Sequence, residues 1–226
     1  QGGRAFEPFL LPLVPAVLGA LGDAHAGTRA AAERCADALQ AAFSALATAL
    51  LLPPLLAVVA ADVTDARYSW RAKLGAVAWL ASMARAAGAA RLAPWLPRIV
   101  PALMVPLGDV HEEAHLAAHA ALTGPYAAVI RSPEIRAALP AILRAVCDPP
   151  RHAASCLADI IATSFGHAVD GPSLALLLPL LVRVLQERGT GHMALARRRA
   201  ITIIASLGAL MDPAELAPHP PLLRDN

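Results

Sequence analysis

Charge is scarce in this chain. Only 16% of its 226 residues are Asp, Glu, Lys or Arg, and aromatic residues make up just 4%. So little charge means that much of the surface expects a neighbour, either more of the same chain or a partner. Basic and acidic residues nearly balance, 19 against 17, and a net charge of +2 is too small to argue for nucleic acid by itself. Lysine is almost missing. Lys73 is the only one and no glycine precedes it, so no glycine-rich loop ending in Lys-Ser/Thr exists to cradle phosphates. A G-x-S-x-G elbow and the kinase signature set are absent too.

Cysteine is equally sparse. Cys35, Cys147 and Cys156 form neither a CxxC motif nor a paired framework, and the odd number fits reduced thiols buried as small side chains. Runs of β-branched and aromatic residues with strand periodicity are missing, while alanine fills 54 positions. Alanine is the best intrinsic helix former, so an all-α chain packed through small side chains follows. Arg4 and Glu7 stand where a signal peptide would need its apolar stretch, which argues against a secretory leader. The longest uncharged run, 24 residues between Asp37 and Asp62, could span a bilayer by length alone. Pro53 and Pro54 split it where a new helix is due, so two short buried helices are expected and no membrane association.

What is abundant is a phased motif. A proline leads a short apolar run at Pro15, Pro53, Pro101, Pro140, Pro179 and Pro220, at intervals of 38, 48, 39, 39 and 41 residues. That period belongs to two-helix repeats of the HEAT and armadillo kind. The fold expected is therefore an all-α solenoid of about five helix pairs plus the start of a sixth. Residues 1–226 read as a single repeat array, and the missing Met start and an end in mid-repeat suggest a piece of a longer solenoid.

Within each repeat the apolar positions keep helical spacing. Leu10, Leu13, Val14, Val17, Leu18 and Leu21 define one face, and Leu174, Leu177, Leu178, Leu181, Val182 and Leu185 define its equivalent. Each phased proline is expected at or near a helix start, where a missing N–H costs nothing. An acidic residue closes each first helix: Asp23, Asp62, Asp109, Asp148 and Glu187. Alanine-rich second helices are expected at about 28–47, 68–87, 112–130, 151–166 and 194–211. A longer linker near Ala86–Pro94 accounts for the 48-residue interval, and the turn over Gly189–Ala196 is widened. Asp23 with Arg29, and Asp65 with Arg71, have the spacing of an acidic–basic ladder between adjacent repeats. Exposed pairs of this kind contribute only about 0–1 kcal/mol each.

Two clusters carry possible chemistry. His111-Glu112-Glu113-Ala114-His115 matches the letters H-E-x-x-H, in which two histidines one turn apart bind zinc, and His119 extends the row. The repeat phase, however, aligns this segment with the inter-helix turn at Asp23–Arg29, and no G-x-x-H continuation follows. No metal, cofactor or catalytic role is assigned to it. Arg197-Arg198-Arg199, with Arg183 and Arg188 upstream, is the one dense basic cluster and a candidate contact to a partner or to ribosomal RNA. Three adjacent residues fan around a helix, so they cannot all share one face. Trp70, Trp79, Trp95 and Tyr68 are too scattered for a base-stacking platform and are expected to pack between helices.

Phe6-Glu7-Pro8-Phe9, Trp70-Arg71-Ala72-Lys73-Leu74-Gly75, Ser132-Pro133-Glu134-Ile135, Cys156, Asp170-Gly171-Pro172-Ser173-Leu174-Ala175-Leu176 and Leu216-Ala217-Pro218 occur in this order. Together they resemble the elongation-factor-three-like HEAT segment of the eukaryotic translational activator of the general amino-acid control kinase, the general control non-derepressible family. Fungal-type elongation factor three, which shares a related HEAT segment, is the alternative, and a generic HEAT protein-binding scaffold is another. The resemblance implies a cytoplasmic, non-catalytic scaffold in the amino-acid starvation response, associated with ribosomes, an ABC-type ATPase and the kinase acting on initiation factor two alpha. No small-molecule substrate is implied.

Overall fold

The computed structural model describes residues 3–61, 68–163 and 169–210, and among them every regular element is a helix. The first helix of the first repeat is broken into α1 (Gly3–Leu10) and α2 (Val14–Ala20), joined by a 3-10 turn over Leu11–Leu13. Its second helix is α3 (Ala26–Ala42). Then follow α4 (Thr48–Val59) with α5 (Trp70–Ala87), a single turn α6 (Ala89–Leu92), and α7 (Leu96–Leu107) with α8 (Glu112–Thr123). The last two pairs are α9 (Pro133–Cys147) with α10 (Pro149–Ala162), and α11 (Gly171–Gln186) with α12 (His192–Leu210). The uncharged run from Ala38 to Ala61 is thus divided between α3 and α4, and none of the described helices is long and apolar enough to cross a membrane.

Two compact units divide the chain. The first draws on Gln1–Leu92 and Ala102–Tyr126, the second on Ala93–Pro101 and Ala127–Asn226. In the first, α2 packs on α3, α4 and α5, α4 packs on α5, and the second helices α3, α5 and α8 touch in that order. In the second, α9 packs on α10 and α11, and α12 packs on α10 and α11. Within each unit these contacts join helices of one pair (α2–α3, α4–α5, α9–α10, α11–α12) and equivalents in successive pairs (α2–α4, α3–α5–α8, α9–α11, α10–α12), the neighbour pattern of stacked repeats.

Most of each apolar stripe read from sequence is buried, but Leu13 is exposed and Leu10, Val182 and Leu185 are half-buried. Val14, Val17, Leu18 and Leu21 are covered, as are Leu174, Leu177, Leu178 and Leu181. Burying each such side chain contributes roughly 1.5–3 kcal/mol. Two helices bury little: α3 covers only Ala32 and Leu39 among its described side chains, and α1 covers none of its own fully. Gly75 allows close packing on the other side of α5, because a Cβ there would stand 2.6 Å from Leu21 Cδ1. Gly88, with φ of 78°, stops α5 in a conformation that L side chains rarely adopt.

The phased prolines correct the sequence reading. Pro15 does stand in the first turn of its helix, but Pro53, Pro54, Pro140 and Pro179 lie inside α4, α9 and α11, and Pro101 is in the middle of α7. An interior proline removes one ladder hydrogen bond and bends the helix. Those at positions 53, 101 and 140 are exposed, on the solvent side of their helices. The true starts are marked elsewhere. Ser132, Asp148 and Asp170 accept the N–H groups of Ile135, Arg151 and Ser173, with prolines at 133, 149 and 172 in the first turns that follow. The cysteine expectation holds for Cys156 alone. Cys35 lies beside the Ala32–Leu39 stripe and Cys147 is the last residue of its helix, and both are exposed.

Candidate binding surfaces

The turns between paired helices are held by side chains bonded to main chain. Asp23 accepts the His25 N–H at 2.7 Å, and Asp109 accepts the His111 N–H at 3.0 Å, a local turn repeated in equivalent positions. Arg29 reaches back from α3 and donates to the carbonyls of Asp23 and Ala24, both at 2.8 Å. Asp23 and Arg29 therefore meet, but through the aspartate's carbonyl and within one repeat. Its carboxylate is already occupied by the turn. Arg71 lies over the Trp70 ring, 4.4 Å from its centre, and Asp65 lies outside the described residues.

The histidine row belongs to the same architecture. His111 precedes the first turn of α8; its Nδ1 donates to Asp109 at 2.8 Å and its ring stacks on Trp70 at 4.7 Å. His115 donates from Nδ1 to the Leu107 carbonyl at 2.6 Å, and its ring lies 6.4 Å from that of His119. Among the described residues no group of three or more His, Cys, Asp or Glu could hold a metal ion. Burial works to raise the Asp109 carboxyl. The hydrogen bonds from the backbone and ring of His111, with the charges of His111 and Lys73, outweigh it and hold the group below its usual range. Lys73 itself is buried.

The arginines near α12 are largely engaged. Arg197 donates to the carbonyls of Glu187 at 2.8 Å and Gly189 at 2.6 Å, and Arg199 donates to that of Ala154. Arg183 pairs with Glu187 at 3.3 Å. Arg198 and Arg188 are exposed.

One feature was not anticipated. A groove of about 470 Å³ runs between α3 and α5, with Glu33 and Asp37 on one wall, Arg71 and Arg85 on the other, and Trp79 among its lining residues. Sequence spacing gave no sign of it, and small residues such as Ala36 and Ala78 are among its lining. An apolar patch lies at the opening of the chain, where Phe6, Phe9, Leu46 and Leu50 are exposed. Glu7 bonds there to the Ser44 N–H at 2.8 Å and to its hydroxyl at 3.1 Å.

Stacked helix pairs with side chains bonded across their turns define an all-α protein of the HEAT-repeat class. The EF3 N-terminal HEAT repeat family matches residues 1–122, and the Elongation factor 3/GNC1 HEAT repeat matches residues 152–226. The chain belongs to the EF3 N-terminal HEAT repeat family. It is similar to the mouse protein named Stalled ribosome sensor GCN1, with 38% identity over 97% of this chain, and to the Dictyostelium discoideum eIF-2-alpha kinase activator GCN1, with 35% over 96%. Elongation factor 3 of Phytophthora infestans is 30% identical over 92%. This chain spans 8% of the length of each of the two GCN1 proteins and 19% of that elongation factor.

Proposed function

We propose that this chain is a non-catalytic segment of a ribosome-associated scaffold that helps activate the kinase acting on eIF-2-alpha. One observation carries the reading: identity reaches 38% with the protein named a stalled ribosome sensor, against 30% with Elongation factor 3. The geometry supports binding over chemistry, because His111, His115 and Asp109, residues suited to catalysis by type, are tied into a structural turn. On this reading residues 1–226 form one repeat array in the cytoplasm. Its partners are the ribosome and an ABC-type ATPase or the kinase. Contact with ribosomal phosphates would fall to Arg198, the exposed member of the Arg197–Arg199 run, since Arg197 and Arg199 already serve main-chain carbonyls.

Sedimentation of the purified chain with ribosomes tests this. Pelleting with ribosomes in low salt and release in high salt are expected. A chain that stays in the supernatant at every salt concentration contradicts the proposal. An elongation-factor segment is the second reading, favoured by the 30% identity, and the coding sequence on either side would decide it by encoding an ATPase cassette or further repeats.

A further inference from the structure

The groove between α3 and α5 sets an acidic pair, Glu33 and Asp37, on the α3 wall beside Arg29 against Arg71 and Arg85 on the α5 wall. Glu33 and Asp37 on α3 and Arg71 and Arg85 on α5 take part in no ion pair among the described residues. Trp79, also in the lining, is only 3% exposed, and its Nε1 is buried without a hydrogen-bond partner.

The register of the walls fixes the shape of an occupant. Gln40 bonds to Ser82 across the groove. Counting back three residues on each helix puts Asp37 level with Trp79, about midway between Arg71 and Arg85. At a rise of 1.5 Å per residue those two arginines lie about 21 Å apart along α5. An extended chain covers that distance in about six steps, from a first residue to a seventh. Its side chains alternate, so the first and seventh face one wall and the fourth faces the other. Carboxylates at the ends then meet Arg71 and Arg85, and a cation in the middle meets Glu33 and Asp37, with Trp79 lining the groove between them.

We propose that this groove binds an extended peptide segment of another protein, about seven residues long, acidic at its first and seventh positions and basic at its fourth. The proposal rests on the groove alone and stands whether or not the chain meets ribosomes.

Two blocked heptapeptides test it: Glu-Val-Thr-Lys-Val-Thr-Glu, and its counterpart with Glu and Lys interchanged. Valine and threonine favour extended chain over helix. Each is titrated into the 15N-labelled chain while the tryptophan indole N–H signals are followed, with Trp79→Phe assigning the relevant one. The first peptide is expected to move the Trp79 signal while leaving that of Trp95, which is not in the lining. The interchanged peptide is expected to leave both in place. Reversal of the exposed basic wall, Arg71→Glu with Arg85→Glu, is expected to weaken binding at least about tenfold, a change of about 1.4 kcal/mol. Reversal of the acidic wall, Glu33→Lys with Asp37→Lys, is expected to weaken it as well. An unmoved Trp79 signal at millimolar peptide, equal binding of both peptides, or unchanged affinity after wall reversal overturns the proposal. So does a single-stranded RNA oligonucleotide that moves the Trp79 signal where the peptide does not.

Discussion

Tyr126 offers a sharp test of how the first unit is held together. It follows α8, is only 1% exposed, and donates its hydroxyl hydrogen to the Leu80 carbonyl on α5 at 3.0 Å. Tyr126→Phe keeps the ring and deletes that bond, which is expected to cost about 1 kcal/mol near neutral pH. Burial also pushes the phenol well above its ordinary value of 10.0. The folded state keeps the proton in a range where the unfolded chain releases it. The stability from this group is thus full below about pH 10 and falls above it by about 1.4 kcal/mol per pH unit. At about pH 11 the wild type has lost roughly 1.4 kcal/mol through Tyr126, and the phenylalanine variant has lost nothing by this route. The gap of about 1 kcal/mol should therefore close and slightly reverse between about pH 10 and pH 11. Urea unfolding followed by far-ultraviolet circular dichroism reads it directly. Other alkaline titrations are common to both proteins and cancel in the difference. A gap that stays constant across this range, or that is absent at neutral pH, refutes the reasoning.

Three further outcomes follow from named contacts. Asp109 has a lowered pKa, so its contribution is present above the unfolded carboxylate value near 4 and is lost as pH falls through the folded value. Asp109→Asn should cost about 1 kcal/mol at neutral pH and reduce the acid-side slope of stability, read from urea midpoints below about pH 5. Gly75→Val should destabilise by about 1–3 kcal/mol in thermal or urea unfolding, because a Cβ there collides with Leu21, whereas Gly27→Ala, with nothing within 4 Å, should be neutral or slightly stabilising. Iodoacetamide at neutral pH should label Cys35 first and Cys156 last by peptide mass spectrometry, since Cys156 is buried and its thiol pKa is pushed up to about 11 by burial and by the charge of Asp159.

The fold was legible where a single residue type carries a periodic signal. The stripes Leu10–Leu21 and Leu174–Leu185 gave the first helices, and the alanine-rich stretches located the second ones, with observed starts within a few residues of those expected. The prolines misled because proximity to a helix start and tolerance on an exposed helix face leave the same mark in sequence. The apolar series already held the correction: Leu174, Leu177 and Leu178 precede Pro179 and belong to the same helix. The candidate sites were harder to read. Arg29 and Arg197 bond to carbonyls, and a carbonyl has no residue type, so spacing suggested a carboxylate partner for Arg29 and left Arg197 as one of a basic cluster. The unpartnered indole of Trp79 depends on which way α3 and α5 face each other, and no local pattern encodes that.

The central claim is that this helical surface works by recognition, on ribosomes, rather than by chemistry. Hydrogen–deuterium exchange of the chain with and without purified ribosomes addresses it most directly. The account predicts slower exchange in a contiguous surface segment, including the first turns of α12 around Arg198, with the buried faces of the first helices unchanged. Identical exchange throughout, with ribosomes in excess and at low salt, would contradict it.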